Sequence, residues 1–258
     1  MTSRRAPVLG VIFITQLVGL VVAAAIALVR AEPFPGGTDL VWSIVCGLVG
    51  TAGIVGLYQG LSVGRMGVVA PVTGVLGATI PAVVGIAFQG SPPPPVLVGI
   101  VVAIAAVVLV SRAAGAGGTG RSGIEFALVA GACIGAFNVA IAQVSAGLVF
   151  GPIVVIRVVD AVLVGGLLIA SRSGWRPSRP LLPVLLAIGI LDMTGNAMYI
   201  LAAQSGPLAV AAVLSSLYPV TTVILATLVL REPVTRVHAA GIALAAAAIA
   251  LIAGGTTA

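Results

Sequence analysis

Charge is what this sequence has least of. Only 7% of its 258 residues are charged and 60% are hydrophobic, whereas an ordinary soluble domain carries about 25% charged residues. That scarcity excludes a soluble globular surface and points to a chain whose solvent is largely lipid. Lysine is absent altogether; all twelve basic residues are arginine, a bias read here as genomic base composition. The net charge of +6 would suggest a nucleic-acid partner in a soluble protein. Here the arginines stand singly between apolar runs, so they read as topology anchors and no nucleic acid is expected. Cysteine is nearly absent too. Cys46 and Cys133 lie far apart inside apolar segments, with no C-x-x-C or Cys/His spacing, so they read as buried inert thiols and neither a metal site nor a cofactor is expected.

What is present is a series of long apolar runs. The stretch 191–234, LDMTGNAMYILAAQSGPLAVAAVLSSLYPVTTVILATLVLREPV, organises the rest. It belongs to two spans, 181–203 and 207–230, joined by the turn 204–207 and closed by Arg231-Glu232-Pro233. A helix needs about 20 mostly apolar residues to cross ~30 Å of hydrocarbon. Runs bounded by Gly, Pro and Arg predict nine transmembrane helices: 8–29, 39–62, 67–88 and 95–111, then 124–147, 151–171, 181–203, 207–230 and 237–253. The fold class expected is therefore an all-α membrane protein. A first repeat of four helices (1–111) and a second of five (123–258) flank a glycine-rich linker (112–122), and Gly/Pro interruptions mark places where helices could break. The basic start MTSRR resembles a signal peptide, but its apolar run exceeds the 7–15 residues of a secretory core and no clear cleavage site follows, so it reads as a retained first helix.

With nine spans, Arg4, Arg5, Arg65, Arg112, Arg121, Arg172, Arg176, Arg179, Arg231 and Arg236 share one side; Arg30 alone lies on the other and Arg157 lies inside a span. The positive-inside rule makes the arginine-rich side cytoplasmic, with the N-terminus inside and the C-terminus outside a plasma or inner membrane. The two halves also correspond. Tyr58 and Pro81 match Tyr199 and Pro219, and VLVGIVVAIAAVVLVS (96–111) matches HAAGIALAAAAIALIA (238–253), with Gly99 opposite Gly241. Equivalent loops carry opposite arginine patterns, which is the signature of an inverted repeat.

The segments VAAVLSSLYPVTTVILATLVLREP, AAGIALAAAAIALI and MGVVAPVTGVLGATIPAVVGIAF resemble the paired repeats of EamA-type transporters in the drug/metabolite transporter superfamily. The resemblance covers nearly the whole chain and is strongest over 181–253. It implies a carrier fold of ten helices, five plus five, with both ends cytoplasmic. This chain departs from that pattern in three ways. The helix expected before Pro7 is missing, which reads as either a late start or a nine-helix variant. The glycine-glutamate that closes the fourth helix is replaced by Gln89-Gly90, with Arg231-Glu232 in the second half. The arginines place the two ends on opposite sides.

Polar residues within the spans are few enough to weigh singly. Asp192 falls near the middle of its span, where a charge costs at least ~2.5–3.5 kcal/mol; Asn196 and Tyr199 follow at i+4 and i+7 on the same helix face. This stripe offers a carboxyl for proton exchange and two groups to hold a substrate, or else a buried acid that joins helices. Its repeat counterparts, near Thr51, Val55 and Tyr58, keep only a hydroxyl and the tyrosine. Arg157 and Asp160, at i and i+3, either neutralise each other or leave Arg157 to reach a substrate carboxylate or Asp192. Asn138 is a further candidate; Gln16 and Tyr218 rank below it. Gly56, Gly60 and Gly64 form a small-residue ridge for helix packing. Gly60–Gly64 also matches G-x-S-x-G, and with His238 on the same side an intramembrane serine protease based on Ser62 can be imagined. An all-helical chain has no strand-to-helix elbow to activate that serine, so the protein is read as no enzyme.

The expectation is a carrier of small organic metabolites such as amino acids or drugs, exporter or importer, working by alternating access. Substrate would bind near the midplane against Asn138, Arg157, Asn196 and Tyr199, with Asp160 beside Arg157 and Asp192 exchanging a proton. Its partners would be the lipid bilayer, the solute and, in a homodimer, a second copy. The alternative is a non-transporting membrane subunit.

Overall fold

Lipid offers no hydrogen bonds to a backbone, so each apolar run must satisfy its own N–H and C=O groups, and a helix does so within one segment. The computed structural model describes residues 8–63, 66–113, 123–172, 179–217 and 236–256. Among them are nine α-helices, a 3-10 turn at Arg179–Leu181 and no strand. The helices are α1 (Val8–Val29), α2 (Gly37–Val63), α3 (Met66–Gln89), α4 (Pro94–Ala113) and α5 (Ile124–Ile141). They continue with α6 (Phe150–Ser171), α7 (Leu182–Ser205), α8 (Leu208–Ser215) and α9 (Arg236–Thr256). Six of these, α1, α2, α3, α5, α6 and α7, are long and apolar enough to cross a membrane, and α4 and α9 add shorter apolar lengths. The protein is an all-helical, multi-pass membrane protein.

Prolines sit where helix geometry tolerates them. Pro94 opens α4, and Pro152 and Pro183 fall in the first turns of α6 and α7, where the missing N–H has no helical partner to lose. Pro71 and Pro81 are the exceptions; both lie inside a continuous α3, Pro81 fully buried.

The observed helices follow the expected spans closely, with one clear correction. The fifth span was expected over 124–147, but α5 ends at Ile141. The apolar residues beyond it form a loop whose backbone is satisfied by side chains from elsewhere. Asp39 accepts the Ser145 N–H at 2.8 Å, and Gln204 donates to the Ser145 and Leu148 carbonyls at 3.1 and 2.9 Å. Gly147, at φ +91°, supplies the left-handed turn that a side chain would resist. The eighth span is described only as far as Leu217. There α8 stops at Ser215, and the Ser216 hydroxyl turns back to the Val213 carbonyl at 2.7 Å. Pro219 and Tyr218 lie outside the described residues, as do Gly64, Arg65, Arg231, Glu232 and most of the linker.

The chain divides into two compact units, 1–51 with 140–204 and 52–139 with 205–258, so each draws on both halves of the sequence. In the first unit α1 packs against α6. A β-carbon on Gly189 would lie 2.7 Å from the Thr15 carbonyl oxygen, and one on Gly47 would lie 2.6 Å from Val159 Cβ. Only glycine lets α7 approach α1, and α2 approach α6, so closely.

In the second unit α4 packs against α9, and α3 against both α4 and α8. Val96, Ile100, Val107, Val213, Ala248 and Ile252 are among its core residues. The two cysteines form no disulfide; Cys46 is buried, but Cys133, also expected to be buried, is only half-buried. Gly56 and Gly60 pack as expected, against Ala130 and against Phe126 with Val69.

Candidate functional site

Arg157 and Asp160 are one turn apart on α6, both buried, at 2% and 3% exposure. Two opposite charges on one face of an apolar helix need partners from its neighbours, and every helix of the first unit supplies one. From α7, Asp192 Oδ2 takes Arg157 Nη2 at 2.6 Å. On α6 itself, Arg157 Nη1 stands 3.7 Å from Asp160 Oδ2. From α1, Gln16 bridges the two charges; its Oε1 accepts from Arg157 Nη1, and its Nε2 donates to Asp160 Oδ2 at 2.9 Å. From α2, the Thr51 hydroxyl donates to Asp160 Oδ1 at 2.7 Å.

The two acids are thus unlike. Asp160 is buried and takes hydrogen bonds from Thr51 and Gln16. Asp192 is held by Arg157 alone, and its side chain is 49% exposed. One guanidinium faces two carboxylates, so the cluster carries one surplus negative charge when both acids are ionised. Removing one partner from a buried pair of this kind costs about 3–5 kcal/mol, because the other charge is left uncompensated.

Gly19 on α1 makes room for this arrangement. A β-carbon there would lie 3.1 Å from Arg157 Nε and 3.5 Å from its Cδ. Nε itself is buried without a hydrogen-bond partner, so this edge of the guanidinium faces the bare glycine backbone.

Of the residues expected to form the site, the structure therefore gathers Arg157, Asp160 and Asp192. Arg157 is within ion-pair distance of both acids. Asn196, one turn beyond Asp192, is half-buried, and Tyr199 is buried at 7% exposure. Asn138 belongs to the second unit, where its amide donates to the Gly77 carbonyl at 3.1 Å. Gln16, ranked below Asn138 from sequence, bridges the charges instead. From sequence Thr51 stands out only as a repeat counterpart, and Gly19 carries no signal at all, since nothing in an apolar run tells which glycine faces an arginine. Ser62 sits exposed in the last turn of α2, with its hydroxyl donated to the Gln59 carbonyl at 2.8 Å. His238 lies in the first turn of α9, and its side chain is outside what is described.

Comparison with known proteins bears on the same chain. A search of curated proteins finds no match. Among solved structures, a crystal structure described only as that of a protein aligns with a TM-score of 0.79 at 19% identity. The alignment covers 99% of this chain and 91% of that one, which shows a shared fold. The model of the EamA-like transporter family matches residues 121–254, just over half the sequence. The chain therefore belongs to the EamA-like transporter family, within the drug/metabolite transporter superfamily.

Proposed function

We propose that this protein is a secondary carrier of small organic solutes that works by alternating access, with the Arg157 cluster as its substrate and coupling site. One observation carries the reading: Arg157, inside a membrane span, is shared between a buried carboxylate and a half-exposed one. A purely structural pair would be expected to bury both acids, whereas Asp192 stays open at mid-helix, where exposure to lipid would be costly. The exposed side of Asp192 therefore faces water-filled space through which solute or protons pass. In this reading Asp192 exchanges a proton during the cycle, and Asn196 and Tyr199 hold the solute along the same helix. The charged groups facing Asp192 are Arg157 directly and Asp160 behind it.

The inverted repeat is part of the proposal. Matching 96–111 with 238–253 pairs α4 with α9; by continuation α3 pairs with α8 and α1 with α6. Each of these pairs is in direct packing contact. In two of them the first helix leads to the residue that caps its partner. Glu32, just past α1, accepts the Val149 and Gly151 N–H groups at the start of α6, both at 2.8 Å. Gln89, closing α3, accepts the Leu208 N–H at the start of α8, also at 2.8 Å.

Solute counterflow into proteoliposomes, for wild type and Asp192→Asn at two pH values, tests the reading. Flux in wild type that fails or loses its pH dependence in the variant is the expected result. Equal, pH-insensitive flux would reduce Asp192 to a structural role, and no flux for any solute would overturn the carrier reading.

A further inference from the structure

The geometry points to a solute that carries positive charge, an ammonium or amidinium group, and that docks on Asp192. This inference rests on the carrier reading and narrows its substrate class.

The arginine is the obvious seat for a solute carboxylate, because a guanidinium matches a carboxylate with two parallel hydrogen bonds. Here every edge of it is occupied or closed. Nη2 is given to Asp192 at 2.6 Å, and Nη1 to Gln16, with Asp160 3.7 Å away. Nε lies against Gly19, where even a β-carbon would come within 3.1 Å. A solute carboxylate could reach the guanidinium only by displacing Asp192, and it would then leave three carboxylates against one cation.

Asp160 is closed as well. Both its oxygens take hydrogen bonds, from Thr51 at 2.7 Å and from Gln16 at 2.9 Å. The one carboxyl of the cluster that remains open is Asp192. Its side chain is 49% exposed, and among the described residues its Oδ2 is held by Arg157 while its Oδ1 takes no donor. When both acids are ionised, the surplus negative charge of the cluster sits on the open side. A cationic group on Oδ1 brings the cluster to neutrality without breaking any contact already made. Asn196, a turn further along α7 and half-buried, offers an amide oxygen for a second N–H of the same group. Opposite sign selects the solute here, and the low dielectric of the surroundings sharpens the selection.

The test uses the full-length protein in proteoliposomes. Putrescine and lysine serve as cationic probes, succinate as an anionic probe and glucose as a neutral one. At least one cation should show counterflow tenfold or more above empty vesicles, and excess unlabelled cation, but not succinate, should compete with it. Asp192→Asn should cut that flux at least tenfold, whereas Asp192→Glu should keep part of it. Succinate or glucose flux without cation flux would overturn the charge inference and leave the carrier reading standing. Cation flux undiminished in a folded Asp192→Asn protein would overturn Asp192 as the seat. No flux with any probe would overturn both. If Asp192→Asn fails to fold, as judged by its elution and thermal unfolding in detergent, the competition pattern in wild type decides.

Discussion

At the scale of single residues, the site depends on groups that carry no charge. Gly19 leaves the space that Arg157 fills. Gly19→Ala would bring a β-carbon to 3.1 Å from Nε, so the guanidinium has to shift by a few tenths of an ångström and loosen its 2.6 Å contact with Asp192. Overpacking of this sort costs about 1–3 kcal/mol. We expect solute flux to fall several-fold while the protein still folds; unchanged flux would show that the seat tolerates displacement. Thr51 is tested by its hydroxyl. Thr51→Val leaves Asp160 short of one donor at a cost of about 1–3 kcal/mol, which at about 2–4 °C per kcal/mol lowers the unfolding temperature by several degrees. Thr51→Ser keeps the donor and should keep most of the stability. Ser62 is the opposite case. Its hydroxyl is donated to its own helix, so Ser62→Ala should leave flux unchanged, whereas a protease built on Ser62 would lose all activity.

At the scale of elements, two helices start without caps of their own and borrow them. Val149 and Pro207, the residues before α6 and α8, make no side-chain capping bond. The acceptors come from Glu32 and Gln89, more than a hundred residues earlier in the chain. Replacing a capping acceptor with alanine costs about 0.5–2 kcal/mol. Glu32→Ala should therefore lower the unfolding temperature measured in detergent, and Glu32→Gln, which retains an acceptor oxygen, should lower it less. Equal losses for the two variants would mean that Glu32 acts through its charge. The same long-range bonding explains why the end of α5 is illegible in the sequence. Residues 142–149 are mostly apolar, and periodicity continues the helix through them. The partners that satisfy the loop, Asp39 and Gln204, are remote in the chain.

At the scale of the whole molecule, the arginine pattern and the paired helices lead to one topological prediction. Contacts from Glu32 to Val149 and from Asp39 to Ser145 place the α1–α2 and α5–α6 loops at one end of the first unit, as helices alternating in direction require. If nine helices cross the membrane with Arg4 and Arg5 inside, the C-terminus lies outside. Alkaline phosphatase fused after Ala258 should then be active, and green fluorescent protein fused at the same point should be dark. The reverse result would put both ends on one side and require another crossing or one fewer.

Composition and hydropathy by themselves determined that this is an all-helical membrane protein and roughly where most of its described helices lie, because a bilayer imposes one length and one backbone solution on every crossing. The few ionisable residues within the spans were legible for the same reason: each is costly there and so stands out, as Asp192, Arg157 and Asp160 do. Which of them meet, and through what, was decided only by the fold. Gln16 and Gly19 on α1 and Thr51 on α2 approach α6 from positions more than a hundred residues away. Helix periodicity assigns a residue to a face but does not choose the helix that covers that face. That choice rests on close approaches at glycines such as Gly47 and Gly189, and it is what leaves one carboxylate of the cluster sealed and the other open.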